Sequence, residues 1–244
     1  MPNGDAFDDA VRLALESPGL DVGCHLVLVG GWSVLDPGRG LPGSVAALLA
    51  AIAVGRIPIR EELEAQVRKV LAAGIRPTHL DTHKHTHLLP PVLDALGRIA
   101  AEFAIPWVRA PFDVPLKNVP SGTPVCARLA SRSLRLLRPW FRRALDRHGR
   151  RSTDHFAGFQ ITGHFGAADL PGLFRQLPPG VTEFMCHPGF CTDELRAAPT
   201  RLTDSREREL EALVAPATRN ALHDEGIELV GYNDLDGGET VRKP

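Results

Sequence analysis

Residues 76–90, Arg-Pro-Thr-His-Leu-Asp-Thr-His-Lys-His-Thr-His-Leu-Leu-Pro, decide how this chain is read. His79–Thr82 has the composition of a short strand, and the histidine-rich turn after it runs into a helical pattern from Pro91 to Phe103. A second strand follows at Trp107–Ala110. Strand, loop, helix and strand in that order indicate a parallel pair joined by a crossover helix. Four of the ten histidines and one aspartate fall within residues 79–87. Alternate residues of a strand share a face, so Asp81, His83, His85 and His87 project together if the strand persists, whereas a turn after Thr82 fans them round a cavity. Neutral imidazole is the commonest protein metal ligand, and a nearby carboxylate can ligate as well or fix the histidine tautomer. A histidine-rich polar loop without a role is the plain alternative.

Working outward, Asp5–Glu16 reads as a helix, and Leu20–Val29 as a buried parallel strand that carries His25. A lone histidine in an apolar strand is ordinarily a satisfied core residue. Ser44 is placed to cap a helix over Val45–Val54, and Arg60–Ala73 is amphipathic with Leu63, Val67, Val70 and Leu71 on one stripe. Toward the C-terminus, Val181–Phe190 reads as a strand entering a Pro-Gly turn. It places His187 where parallel α/β folds carry functional side chains. Helices at Ser205–Val214 and Ala217–Glu225 and a strand at Ile227–Tyr232 complete the pattern. The segment Pro111–Ser152 carries a dense basic run with interleaved apolar residues, read as one or two surface helices; a nucleic-acid patch is the sharper alternative.

The 244 residues, 43% hydrophobic and 23% charged, suit a single soluble α/β domain over residues 1–244. A formal net charge of -1 gives no global field for nucleic acid or an anionic membrane, so the expected partner is small and neutral. The apolar stretch Leu41–Ile59 is broken by Pro42, Arg56 and Pro58 and is too short for a transmembrane segment, and the first residues lack the features of a signal peptide. The default expectation is a cytoplasmic location. Cys24, Cys126, Cys186 and Cys191 form no CxxC pair and read as reduced thiols.

Several segments resemble, in the same order, motifs of the YdjC-like carbohydrate deacetylases. They are Asn3–Ala6, Val22–Leu26, Pro77–His83, Val108–Ala110 and Glu183–Phe190. Leu28–Gly31, Pro199–Leu202, Gly226–Val230 and Tyr232–Leu235 are most similar to a hopanoid-biosynthesis-associated branch of that family. The resemblance implies a distorted TIM-like β/α barrel that binds one divalent metal, magnesium or zinc, and hydrolyses an N-acetyl group on an amino sugar or glycolipid-like substrate. It assigns His25 and His83 as metal ligands, His187 as the acid that protonates the leaving amine, and Arg109 as an electrostatic or orienting group. Asp81 becomes a partner that steadies a ligand, while His79, His85 and His87 are expected to line the pocket.

The family's third ligand is an aspartate of an Asp-Asp-Phe-Gly segment on a first strand. By the resemblance that strand lies before Met1, and Asp5, Asp8 and Asp9 match a later helix. A missing first strand would leave an unpaired edge, so a homodimer is one expectation and a catalytically impaired sugar-binding relative is the alternative function. A different metal hydrolase that ligates through His83, His85 and His87 is a third reading.

Overall fold

The computed structural model describes residues 1–198 and 200–235. Pro199, part of the branch resemblance, and residues 236–244, the end of the expected single domain, lie outside the described residues. The chain divides into two compact units. The first holds residues 1–109, 140–152 and the described residues from Val230 onward; the second holds residues 110–139 and 153–229.

A three-stranded parallel sheet organises the first unit, with β1 (Cys24–Leu26), β2 (His79–Thr82) and β3 (Trp107–Val108) in the order β1-β2-β3. Helices α1 (Phe7–Glu16), α2 (Val45–Ala53) and α3 (Ile59–Ala72) precede β2, and α4 (Pro90–Glu102) carries the chain from β2 to β3. Ser44 caps α2 as its sequence indicates, its Oγ accepting from the Ala47 N–H at 3.1 Å. Gly74 ends α3 in the left-handed region, with φ +85°. Helices α3 and α4 pack on each other and bury Leu63, Val67 and Val70 on one side and Val92, Leu93, Leu96 and Ile99 on the other.

The first strand stops earlier than the apolar run Leu20–Val29 suggests, and a side chain is the reason. The buried Val27 N–H donates to Gln66 Oε1 at 2.8 Å, and Gln66 Nε2 donates back to the Val27 carbonyl at 2.7 Å. The amide of Gln66 thus stands where the peptide of a neighbouring strand would, which satisfies backbone groups that burial would otherwise leave unpaired. Gln66 Nε2 also donates to buried Glu62 at 2.7 Å, and Glu62 accepts from Ser33 Oγ and from the Val34 and Leu35 N–H groups. Two polar residues on the inner face of α3 therefore fix the path of the loop that leaves β1.

In the second unit, α5 (Val125–Leu134) leads to a parallel pair, β4 (His155–Ala157) with β5 (Thr182–Phe184), in which Phe156 lies opposite Glu183. Helix α6 (Arg138–Asp146) spans the unit boundary. Helices α7 (Leu170–Phe174), α8 (Asp193–Ala197), α9 (Asp204–Val214) and α10 (Pro216–Asp224) complete the second unit around Ile161, Phe165, Leu170, Phe174 and Ala212. Gly158, at φ +125°, follows β4 where any Cβ would strike the Met185 carbonyl, so only glycine lets β4 and β5 close together there.

The α/β class with parallel strands agrees with the sequence, whereas a closed barrel is not seen among the described residues. Pairing breaks into two sheets, with isolated parallel bridges Trp107–Arg151 in the first unit and Asp113–Phe156 in the second. Pro111 offers no N–H, and the Phe112 N–H turns back to Ala110 O at 2.8 Å, so the ladder cannot run on regularly. Among the described residues the outer edge of β1 carries no strand.

The strand expected at Ile227–Tyr232 is a correction. Ile227 N–H closes onto Leu222 O at 2.8 Å after α10, and farther on Gly231 N–H bonds Asp234 while Asn233 N–H bonds Asp21 at 2.9 Å. Turn bonding and the long-range bond to Asp21 outcompete the β-rich composition. All four cysteines are free thiols, and among the described residues no helix is long and apolar enough to cross a membrane.

Replacing Gln66 by leucine keeps the volume but strips both Val27 partners. The expected cost is roughly 2–4 kcal/mol of unfolding free energy, read from the urea midpoint at constant m-value. A loss below about 0.5 kcal/mol would mean that the Val27 groups find other partners.

Candidate active site

Strand register builds the site. His25 on β1 lies directly opposite Asp81 on β2, so both side chains rise on the same face, and His25 Nδ1 meets Asp81 Oδ2 at 2.9 Å. From the other side, the Arg109 N–H extends the ladder to Leu80 O at 3.1 Å, and the Arg109 guanidinium donates to the same Asp81 oxygen. Asp81 is 3% exposed. Burial by itself would raise its carboxyl, but the His25 hydrogen bond and the Arg109 charge outweigh it and hold Asp81 ionised, well below the usual carboxylate range. With Nδ1 as the donor to Asp81, the lone pair of neutral His25 sits on Nε2.

The histidine run leaves the strand at once. Lys84 and His85 take left-handed backbone angles, φ 55° and 50°, which cost non-glycine residues about 1–2 kcal/mol each. This kink resolves the sequence alternatives in favour of the turn after Thr82: Asp81, His83, His85 and His87 do not share one strand face. His83 stays beside His25, the rings edge to face with centroids 5.7 Å apart. Burial, helped by the nearby Lys84 charge, pushes His83 down to about 4 and keeps it neutral at pH 7.

His87 is fully buried and committed to the fold. Its Nε2 faces the Arg109 carbonyl at 3.1 Å, which can only accept, so Nε2 carries the proton. Nδ1 therefore accepts from Thr82 Oγ1 at 2.7 Å, and Thr82 Oγ1 accepts from the His87 N–H at 2.9 Å. No ring lone pair of His87 remains for a cation, which argues against a three-histidine site at 83, 85 and 87. His85 packs edge-on to His87 with centroids 6.0 Å apart, and burial pushes it down to about 3. His79 lies across Gly23, where a Cβ would collide with its ring, and stacks on Tyr232 at 4.1 Å; burial pushes it down to about 4. His87 is thus a bolting residue of the first unit, and the half-buried His79 packs between Gly23 and Tyr232.

His187 belongs to the second unit, in the turn after β5. Its backbone N–H donates to Glu209 Oε2 at 2.5 Å, and the other Glu209 oxygen accepts from the Gly163 N–H at 2.9 Å. Glu209 is fully buried on α9. The sequence Arg-Glu-Arg-Glu-Leu hides it among surface charges; its position one turn before buried Ala212 is the only signal it gives. Asp113 plays a similar part, with Phe159 and Gln160 N–H groups and Ser131 Oγ on its carboxylate, and burial raises its pKa.

Two of the imidazoles are of a kind that could serve a divalent cation. The anchored His25 Nε2 and the neutral His83 offer imidazole nitrogen, and two imidazoles on one cation at about 2.1 Å put their centroids roughly 5–6 Å apart, as these are. Among the described residues no group of three His, Cys, Asp or Glu is assembled around an ion. A cavity of about 270 Å³ bordered by Leu35, Arg39, Leu41, Ala51, Arg56 and Glu62 is lined by none of these histidines.

Comparison with known proteins gives a consistent picture. The family model described as YdjC-like protein matches residues 1–224 and so runs through both units. A carbohydrate deacetylase of Homo sapiens is 31% identical over 99% of this chain and 83% of its own length. A carbohydrate deacetylase of Brevibacillus brevis is 29% identical over 96% of the chain and 86% of its own length. A chitooligosaccharide deacetylase of Enterobacter sp. strain 638 is 26% identical, with 96% and 86% covered. Among solved structures, an Enterococcus faecalis V583 protein provisionally described as a cellobiose-phosphate cleavage protein superposes with a TM-score of 0.70 at 20% identity, over 96% of this chain and 85% of that one, which shows a shared fold.

Two measurements check this geometry. His87 and His79 are held neutral near 4 in the fold and titrate near 6.5 when unfolded, so the unfolded chain binds more protons between those values. Stability is highest above pH 6.5 and falls as pH drops toward 4, by up to about 1.4 kcal/mol per pH unit per histidine. Urea titrations of His87→Gln should show a shallower acid slope than the parent, and equal slopes would contradict the assignment. Glu209→Ala leaves two N–H groups without their acceptor and should cost roughly 2–4 kcal/mol, measured by the same titration at pH 7.

Proposed function

Because this chain belongs to the YdjC-like protein family, we propose that it is a carbohydrate deacetylase, cleaving the C–N amide bond of an N-acetylated amino sugar with a divalent metal at His25 and His83. The observation that carries the reading is the Asp81–His25–His83 arrangement: a buried ionised carboxylate fixes one imidazole, and a second, neutral imidazole stands 5.7 Å away. The deacetylase names of three relatives that align with 96–99% of the chain support the substrate class. Zinc suits nitrogen donors better than magnesium does, although a carboxylate ligand would bring magnesium within range.

When bound, the metal lowers the pKa of a ligated water and polarises the amide carbonyl. Everything else falls to the chain's residues. Asp81 holds His25 in the Nδ1–H form and pins the Arg109 guanidinium, which orients the substrate carbonyl. Water oxygen bonds to the acetyl carbon, the C–N bond breaks, and His187 delivers a proton to the departing amine, leaving acetate and the free amino sugar. In this reading a carboxylate supplies the remaining ligand and, as general base, takes the proton of the attacking water. The finer expectation of a hopanoid-type glycolipid substrate rests on the branch resemblance alone.

The second reading, a sugar-binding relative without catalysis, draws on the absence of a third assembled donor among the described residues. Acetate release from an N-acetylated chitooligosaccharide with added zinc or magnesium separates the two, using this chain and a version extended upstream. Activity in either form that disappears with His25→Ala, His83→Ala and, by at least about 100-fold, His187→Ala supports the enzyme. Sugar binding without acetate release in both forms supports the binding protein. Asp81→Asn should weaken metal affinity by roughly 10–100-fold, read by calorimetry.

A further inference from the structure

Between Asp113 and Asp146 the sequence holds no acidic residue, while Lys117, Arg128, Arg132, Arg135, Arg138, Arg142 and Arg143 are basic. In the second unit, α5 continues through a 3-10 turn at Arg135–Leu137, with helical angles kept at Arg135 (φ -57°, ψ -26°). Residues spaced i, i+4, i+7 and i+11 share one helical face, which here means Val125, Leu129, Arg132 and Leu136. The opposite side is anchored by buried Ser131, whose Oγ donates to Asp113 at 3.0 Å. The outer face is open: Val125 is 66% exposed, Leu129 55% and Leu136 82%, with Leu137 at its margin. A single exposed leucine needs no explanation, but a stripe of them on a segment that carries arginines and no acidic residue does.

We propose that the outer face of residues 125–137 is a docking surface for an anionic phospholipid bilayer, on which the helix lies in the plane of the interface. Charge complementarity selects this occupant. A second copy would bring arginine against arginine across the contact, which like charge opposes. Nucleic acid would satisfy the arginines but offers no apolar medium for aliphatic side chains, and the stripe has no aromatic ring on which a base could stack. A bilayer satisfies both: the leucines enter the acyl boundary while the arginines extend to lipid phosphates. Surface docking of this kind needs no spanning helix and does not depend on the reaction proposed above.

The full chain is tested by co-sedimentation with vesicles of phosphatidylglycerol and phosphatidylcholine against vesicles of phosphatidylcholine alone, at low and high salt. Binding should favour the anionic vesicles by roughly tenfold or more and weaken with salt. Leu129→Ser with Leu136→Ser should lower it at least about tenfold with an unchanged melting profile, since both side chains already face water. Arg132→Gln with Arg135→Gln should remove the preference for anionic lipid. No vesicle binding, equal binding to both vesicle types, binding untouched by the serine pair, or association only with nucleic acid or an acidic polypeptide would each overturn the proposal.

Discussion

One buried carboxylate organises the first unit. Asp81 receives His25 from β1 and Arg109 from just beyond β3, so a single side chain on the central strand ties together both neighbours of the sheet. Charge buried without partners would be costly, and the pairing converts that cost into specificity, because His25 and Arg109 are stable only in the positions where they reach Asp81. The backbone around it is fixed by the same logic. Thr82 and His87 bolt the kinked turn to the Arg109 carbonyl, which places His83 beside His25 and spends the other histidines on packing.

Much of this was legible before the structure. The β2–turn–α4–β3 order and the Ser44 cap follow from composition and periodicity, and the parallel α/β class follows from alternation of elements. The pairing of His25 with the 79–87 run was legible only through the family resemblance, since an isolated histidine in an apolar strand looks like core. Family membership now rests on a match through residues 1–224, which stands independently of any single motif.

What the sequence concealed was mostly polar and buried. Gln66, Glu62 and Glu209 sit in amphipathic helices among other polar residues, and little beyond their spacing from apolar neighbours marks them as the ones that turn inward to hold backbone N–H groups. The left-handed pair Lys84–His85 was nearly as hidden, because lysine gives no sign of a positive φ and histidine, though enriched there, adopts it only in a small minority of cases. The strand expected at Ile227–Tyr232 failed for the converse reason: its apolar residues are real, but Asp21 and Asp234 capture the backbone first. Side-chain to backbone bonds, many of them between residues far apart in sequence and all invisible to hydrophobic patterning, decided these cases.

The central claim is that Asp81 makes His25, with His83, into a cation-ready pair while the other histidines of the run serve the fold. Nitrogen-15 NMR of the imidazoles, recorded before and during zinc addition, tests it most directly. The account predicts that His25 is the Nδ1–H tautomer and His87 the Nε2–H tautomer, and that zinc moves the ring resonances of His25 and His83 but not those of His87. A His25 protonated at Nε2, or zinc shifts that fall on His85 and His87 instead, would contradict it.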